Sequence, residues 1–258
     1  MELGFEIYAL AIGAGLLAGL INTLAGSGSL VALAALVAMG LPATVANGTN
    51  RVGVLIQSVV ALVTMWSHGA TRPSGLGWIV GATTVGAVAG AWLATQVDPD
   101  ALEWVIIGVL WATLLVVFFR PSDWLREEST EKSGRPSITK IAVLVLVGAW
   151  GGFIQAGVGI LLLVALVLVV GKDVIDATVI KLVVVLVYTI AAIPIFMAYD
   201  QIHWPIGLVM GIGQAIGAWL GARFAATSPN APTWIRRLLV VLIVLAAMEL
   251  MGVFALLR

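Results

Sequence analysis

The sequence predicts an all-α polytopic membrane protein built from two inverted repeats. Each repeat holds a broken or re-entrant helix pair followed by three transmembrane helices, about 8–10 helical membrane segments in all. Three observations predict this. The 258 residues are 61% hydrophobic and 10% charged, with a mean hydropathy of +1.12; a soluble domain is roughly 25% charged. Stretches 7–50, 73–97, 104–119, 141–171, 182–199 and 204–222 contain no Asp, Glu, Lys or Arg, and ~18 apolar residues suffice to cross the hydrocarbon core as a helix. A transmembrane barrel would alternate polar and apolar residues in segments of ~10, and no such alternation is present. Third, the chain resembles itself at an offset of about 130 residues.

The self-similarity runs in one order along both halves. "AGSGSL" with Gly26 and Gly28 answers to "AGVGIL" with Gly157 and Gly159, and Arg51 answers to Lys181. "GAWL" at 90–93 recurs at 217–220, and "DPDALEW" ending at Trp104 matches "SPNAPTW" ending at Trp234. The halves are therefore residues 1–119 and 141–258. The polar segment 120–140, with nine charged residues and two prolines, is a cytoplasmic linker too short for a domain.

In half one the apolar segments run about 5–24, 29–41, 50–67, 75–97 and 102–119; in half two, about 141–156, 158–171, 179–199, 204–223 and 234–256. The second segment of each half is ~20 Å long as a helix, short of the ~30 Å core. The first two segments thus form either a re-entrant hairpin or a full helix with a short partner. Both return the chain to its starting side, and three crossings follow, so the halves are inverted. With both termini outside, eleven of the thirteen Lys and Arg residues lie inside, leaving Arg51 and Arg258 outside. The outer loops carry Asp98, Asp100, Glu103 and Asp200 instead. That is the positive-inside pattern of a multi-pass protein of the cell inner membrane.

The breaks raise the functional question. Half one is interrupted at Asn22-Thr23-Leu24-Ala25-Gly26-Ser27-Gly28-Ser29, half two at Gln155-Ala156-Gly157-Val158-Gly159. Non-helical backbone at membrane depth is tolerated only where it lines a polar cavity or is buried in protein. Ser27 and Ser29 stand where a helix begins, and a helix N-terminus favours an anion. The alternative is that the small residues only let helices pack closely. A second interruption, "LPATVANGTNRV", ends the short helix at Pro42; Asn47, Thr49 and Asn50 then read as caps of the next helix, with Arg51 in its first turn and Lys181 at the matching place. Cations there oppose the helix dipole. Either they approach a central anion from opposite faces, or they snorkel to headgroups.

Glu249 lies deep in the last helix and is a proton-coupling candidate, or else pairs with a neighbouring helix or an interface. Gln57 and Gln214 either line a pathway or bond adjacent helices. Trp66, Trp104, Trp124, Trp204 and Trp234 form the interfacial belt, while Trp92 and Trp219 read as packing residues. The absence of Cys excludes thiolate chemistry, and His68 and His203 lack ligand spacing, so no metal, cofactor or catalytic residue is expected and the chain is not an enzyme. Net charge is zero with no basic tract, so nucleic acid is not a partner. No phosphate-binding G-x-x-x-x-G-K-[ST] loop is present to use ATP.

"GLINTLAGSGSLVALAALVAMGLPATVANGTNRV" and "GGFIQAGVGILLLVALVLVVGKDVIDATVIK", with the "GAVAGAWLA" and "GQAIGAWLG" helices, resemble the TauE/SafE sulfite exporter (TSUP) family over nearly the whole chain. The resemblance implies a carrier, driven by an ion gradient, for sulfite, sulfonates or other small oxyanions. Together these readings give a secondary oxyanion transporter, an exporter of sulfite or organosulfonates by alternating access. Its site would comprise Asn22, Ser27, Gly28, Ser29, Asn47, Thr49, Asn50 and Arg51 from one half, and Gln155, Gly157, Gly159 and Lys181 from the other. Its partners are the oxyanion and the lipid bilayer, with self-association into a homo-oligomer left open. A passive anion channel and an accessory subunit of a membrane complex are the alternatives.

Overall fold

The computed structural model describes residues 5–71, 73–98, 101, 136–231 and 234. Among them the regular elements are all helical. Half one gives α1 (Phe5–Leu24), α2 (Gly28–Ala38), α3 (Ala43–Ser67) and α4 (Leu76–Gln96). Half two gives α5 (Ile138–Ile154), α6 (Val158–Val164) with a π-helical extension (Ala165–Val170), α7 (Val174–Ala198) and α8 (Trp204–Thr227). Five of these, α1, α3, α4, α7 and α8, are long and apolar enough to cross a membrane. The expected segment 102–119, nearly all of 234–256, Glu249 and most of the 120–140 linker lie outside the described residues.

Two boundaries differ from expectation. α3 begins at Ala43, directly after Pro42, so Asn47, Thr49 and Asn50 lie inside the helix rather than capping it. Arg51 is then ~12 Å from the helix start, not in the first turn. α7 likewise begins at Val174, where the Asp173 carboxylate accepts from the amides of Ile175 and Asp176, each at 2.9 Å. Polar residues hid both starts: in α3 they make buried contacts within the protein, and in α7 the exposed Asp173 caps the helix.

α2, of 11 residues, folds back along α1: a Cβ on Gly28 would overlap the carbonyl of Ala18. α6 and its extension fold back along α5, and the Lys140 ammonium at the start of α5 donates to Val170 O at 3.3 Å. Both pairs are helical hairpins that return toward their own start. Neither return arm, at 11 residues or at 7 and 6, reaches the ~30 Å of the hydrocarbon core.

Glycine seams set the rest. Gly15 and Gly19 of α1 lie on the backbone of Met210 and Gln214 in α8, while Gly213 and Gly217 of α8 lie on Ile12 and Leu16 of α1. α4 and α5 repeat the arrangement, Gly86 and Gly90 against Val145 and Ala149, Gly148 and Gly152 against Thr83 and Ala87. Numbers rise together across both seams, so each pair is parallel. Without a hydrophobic drive between helices in lipid, such backbone-close contacts are what hold them together. Both "GAWL" motifs contribute through their glycines; Trp92 and Trp219 are 56% and 43% exposed and face outward instead of packing.

α3 packs on α8 in parallel, with Thr49 beside His203 and Gly207 and Ile56 beside Gly211. α7 runs against α3: Phe196 lies by Gly48 and Arg51, and Ile175 shares a surface cavity with Met65. α4 and α7 start together, Lys172 Nζ donating to Ser74 Oγ at 2.7 Å, and end together around Ala91, Ala94, Ala192 and Phe196. Exchanging α1 with α5, α3 with α7 and α4 with α8 maps these pairings onto themselves.

Candidate functional site

The two hairpin tips meet inside the protein. At the first, α1 stops at Leu24, Gly26 turns the chain with φ 84°, and Ser27 is the N-cap of α2. At the second, α5 stops at Ile154, Gln155 and Gly157 turn with φ 49° and 67°, and α6 begins at Val158. Gly159 N donates to Gly26 O at 3.1 Å. A Cβ on either glycine would overlap the other's backbone, so only glycine permits this approach.

A helix that ends inside a membrane leaves carbonyls without partners. The protein supplies those partners across the halves. Lys181 of α7 donates from Nζ to Asn22 O at 3.0 Å and Thr23 O at 2.8 Å, in the last turn of α1. Arg51 of α3 donates from Nη1 to Gly151 O at 3.3 Å and from Nη2 to Gly152 O, in the last turn of α5. Asn47 Nδ2 takes the next carbonyl, Phe153 O, at 2.8 Å. Each cation lies where a helix dipole presents its negative end, the favourable place for it. The guanidinium also faces the Phe196 ring, 4.4 Å from its centroid. Arg51 is 0% and Lys181 1% exposed, so neither snorkels to the surface.

A polar chain crosses the same interior. Gln214 Nε2 donates to Asn50 Oδ1 at 3.4 Å, Asn50 Nδ2 to Gln155 Oε1 at 3.5 Å, and Gln155 Nε2 to Thr189 Oγ1 at 3.0 Å and Tyr188 Oη at 3.5 Å. The first tip holds one such contact, Asn22 Nδ2 to Ser29 Oγ at 3.4 Å. Among the described residues Ser27 Oγ, Thr23 Oγ1, Asn47 Oδ1, Arg51 Nε, Gln57 Oε1 and Gln214 Oε1 are buried without a partner.

Of the expected site residues, Asn22, Ser27, Gly28, Ser29 and Lys181 gather at the first tip. Asn47, Asn50, Arg51, Gln155, Gly157 and Gly159 gather at the second. Thr49 stands apart, its hydroxyl accepting from His203 N at 2.8 Å. Gln214 bonds a neighbouring helix, as one reading of it expected. Sequence reasoning missed Tyr188, Thr189, Phe196 and Trp150, whose Nε1 donates to Ala156 O at 3.1 Å. A signal existed for Tyr188: it lies seven residues, two turns, beyond Lys181, on the same face of an apolar helix.

The profile of the family described as "Sulfite exporter TauE/SafE" matches residues 11–250. The "Probable membrane transporter protein ORF9" of Sinorhizobium sp is 26% identical over 251 residues, covering 97% of this chain and 95% of that protein. A "Probable membrane transporter protein" of Haemophilus influenzae is 25% identical over 242 residues, 94% of this chain and 93% of its own. The "Probable membrane transporter protein YfcA" of Escherichia coli K12 is 26% identical over 208 residues, 81% and 77%. No solved structure gives a significant match.

Proposed function

The chain belongs to the sulfite exporter TauE/SafE family of membrane transporters, and on that premise we propose that it carries small oxyanions, sulfite or organosulfonates, as a secondary exporter. One observation carries the anion reading. Among the described residues the buried charged side chains are Arg51 and Lys181, and no Asp or Glu is buried with them. Burying an ion costs several kcal/mol after relaxation. The two helix C-termini they cap offer only about half a negative charge each, and the N-termini of α2 and α6 add positive ends nearby. Among the described residues the interior carries excess positive charge that a small anion would neutralise.

Alternating access is the proposed mechanism. The halves are inverted, with the N-terminus outside and the 120–140 linker in the cytoplasm of a cell whose inner membrane holds the protein. The opposed directions of α3 and α7 and the exchange of packing partners between halves support this. Each tip is held by a cation from the other half, so tilting one half against the other changes both tips together. Coupling to an ion gradient completes the proposal, with Glu249 as the candidate proton carrier.

The test is sulfite uptake into liposomes holding the purified protein under an imposed proton gradient, with sulfate and a sulfonate as competitors. Saturable, gradient-dependent flux is the expected result. Flux that rises without saturation would indicate a passive channel, and no flux of any of these anions would contradict the reading.

A further inference from the structure

Resting on the anion-carrier reading above, we infer that the anion binds at the first tip alone. Lys181 is its charged ligand, Ser27 and the first amides of α2 are its hydrogen-bond donors, and Arg51 is a structural clamp. The substrate class this selects is a small oxyanion with a singly charged head group.

The two tips differ in what they leave open. At the second tip the turn itself is engaged: Gln155 bonds Asn50, Thr189 and Tyr188, and Gly159 N is bound to Gly26 O, while Asn47 Oδ1 beside it has no partner. Both Nη atoms of Arg51 are bound to carbonyls and Phe196 covers its face, which leaves Nε as the guanidinium atom without a partner. At the first tip Ser27 is a helix N-cap that makes no cap bond, its hydroxyl buried at 6% exposure without a partner. Such a residue ordinarily bonds the second or third amide of its helix. Among the described residues the amides of Gly28 and Ser29 meet no acceptor, while Leu30 N is bound to Ser27 O at 3.0 Å. Lys181 uses two of the three donors of an ammonium, on Asn22 O and Thr23 O.

The sequence repeats the contrast. In "AGSGSL" and "AGVGIL" the positions of Ser27 and Ser29 are taken by Val158 and Ile160 in the second half. At these two positions hydroxyls stand in the first half only. The charge balance sets the class. Lys181 contributes one positive charge; the C-terminus of α1 and the N-terminus of α2 contribute opposite half charges that cancel. One negative charge neutralises the tip, and a dianion leaves an excess buried.

The test measures binding of methanesulfonate, always singly charged, and sulfate, doubly charged, to the purified full chain by calorimetry. Ser27→Ala removes an atom with no protein partner, so it folds as the native chain does and should bind methanesulfonate about tenfold or more weakly. Lys181→Met should lose binding by a larger factor. Arg51→Met, in the fraction that folds, should bind within about threefold of native, and sulfate should bind at least about tenfold more weakly than methanesulfonate. Native affinity in Ser27→Ala, or loss of binding in folded Arg51→Met, overturns the placement while the carrier reading stands. A native chain that binds neither sulfite nor methanesulfonate overturns both.

Discussion

At the second tip the Gln155 side chain has three partners; at the first, the hydroxyl of the N-cap residue Ser27 has none. Yet the two tips solve one backbone problem in one way. Each ends a helix inside the protein, turns on a glycine, and hands its last carbonyls to a cation from the opposite half. The backbone device is shared because unsatisfied carbonyls are costly at either place. The side chains are not shared. At one tip Gln155 joins a hydrogen-bond network and at the other Ser27 Oγ is buried without a partner; on the inference above, structural support and ligand contact are divided between the halves.

The sharpest way to break the comparison is at the contact both tips share. Gly26→Ala adds a left-handed backbone penalty to an overlap with Gly159 and should cost more than ~3 kcal/mol. Gly40, with φ 88° but open space around its Cβ position, is the control: Gly40→Ala should cost only ~1–2 kcal/mol. At roughly 2–4 °C per kcal/mol for a chain of about this size, tryptophan fluorescence melting separates the two. Arg51→Met comes next. It leaves the Gly152 carbonyl buried without its Arg51 partner and the Gly151 carbonyl with only the Gln155 amide, a loss of ~2–4 kcal/mol by the same melt. Arg51→Lys should recover only part of it, because a lysine lacks the longer reach and the planar guanidinium that lies over Phe196.

Gln155→Ala should cost ~1–3 kcal/mol, since Asn50 and Thr189 lose their partner. Ser27→Ala should change stability by no more than ~0.5 kcal/mol. Equal losses at Gln155 and Ser27, measured by melting, would erase the distinction between a closed tip and an open one.

Much of the fold was legible. Charge-free stretches gave the helices, and "AGSGSL" and "AGVGIL" marked both tips because glycine breaks are conspicuous in apolar runs. The start of α3 was not legible: "ATVANGTN" has weak helix propensity and reads as a loop. Its helix is held by contacts over a hundred residues away in sequence, such as Asn47 with Phe153 O. Arg51 and Lys181 were recognisable as cations out of place, but their burial and their partners were not. Both bond backbone carbonyls, which every residue carries, so no residue type in the sequence signals the contact. The open hydroxyl of Ser27 was visible as a residue and invisible as a vacancy in the hydrogen-bond network.

The central claim is that the positive charge buried among the described residues, on Arg51 and Lys181, is there for a small anion. Thermal unfolding of the purified chain in sulfite or methanesulfonate, against chloride at matched ionic strength, tests it most directly. A ligand that binds only the folded state adds about 2.7 kcal/mol at a hundred times its Kd. The account predicts a melting temperature raised by roughly 5–10 °C in either oxyanion. The same melting temperature in all three salts would contradict it.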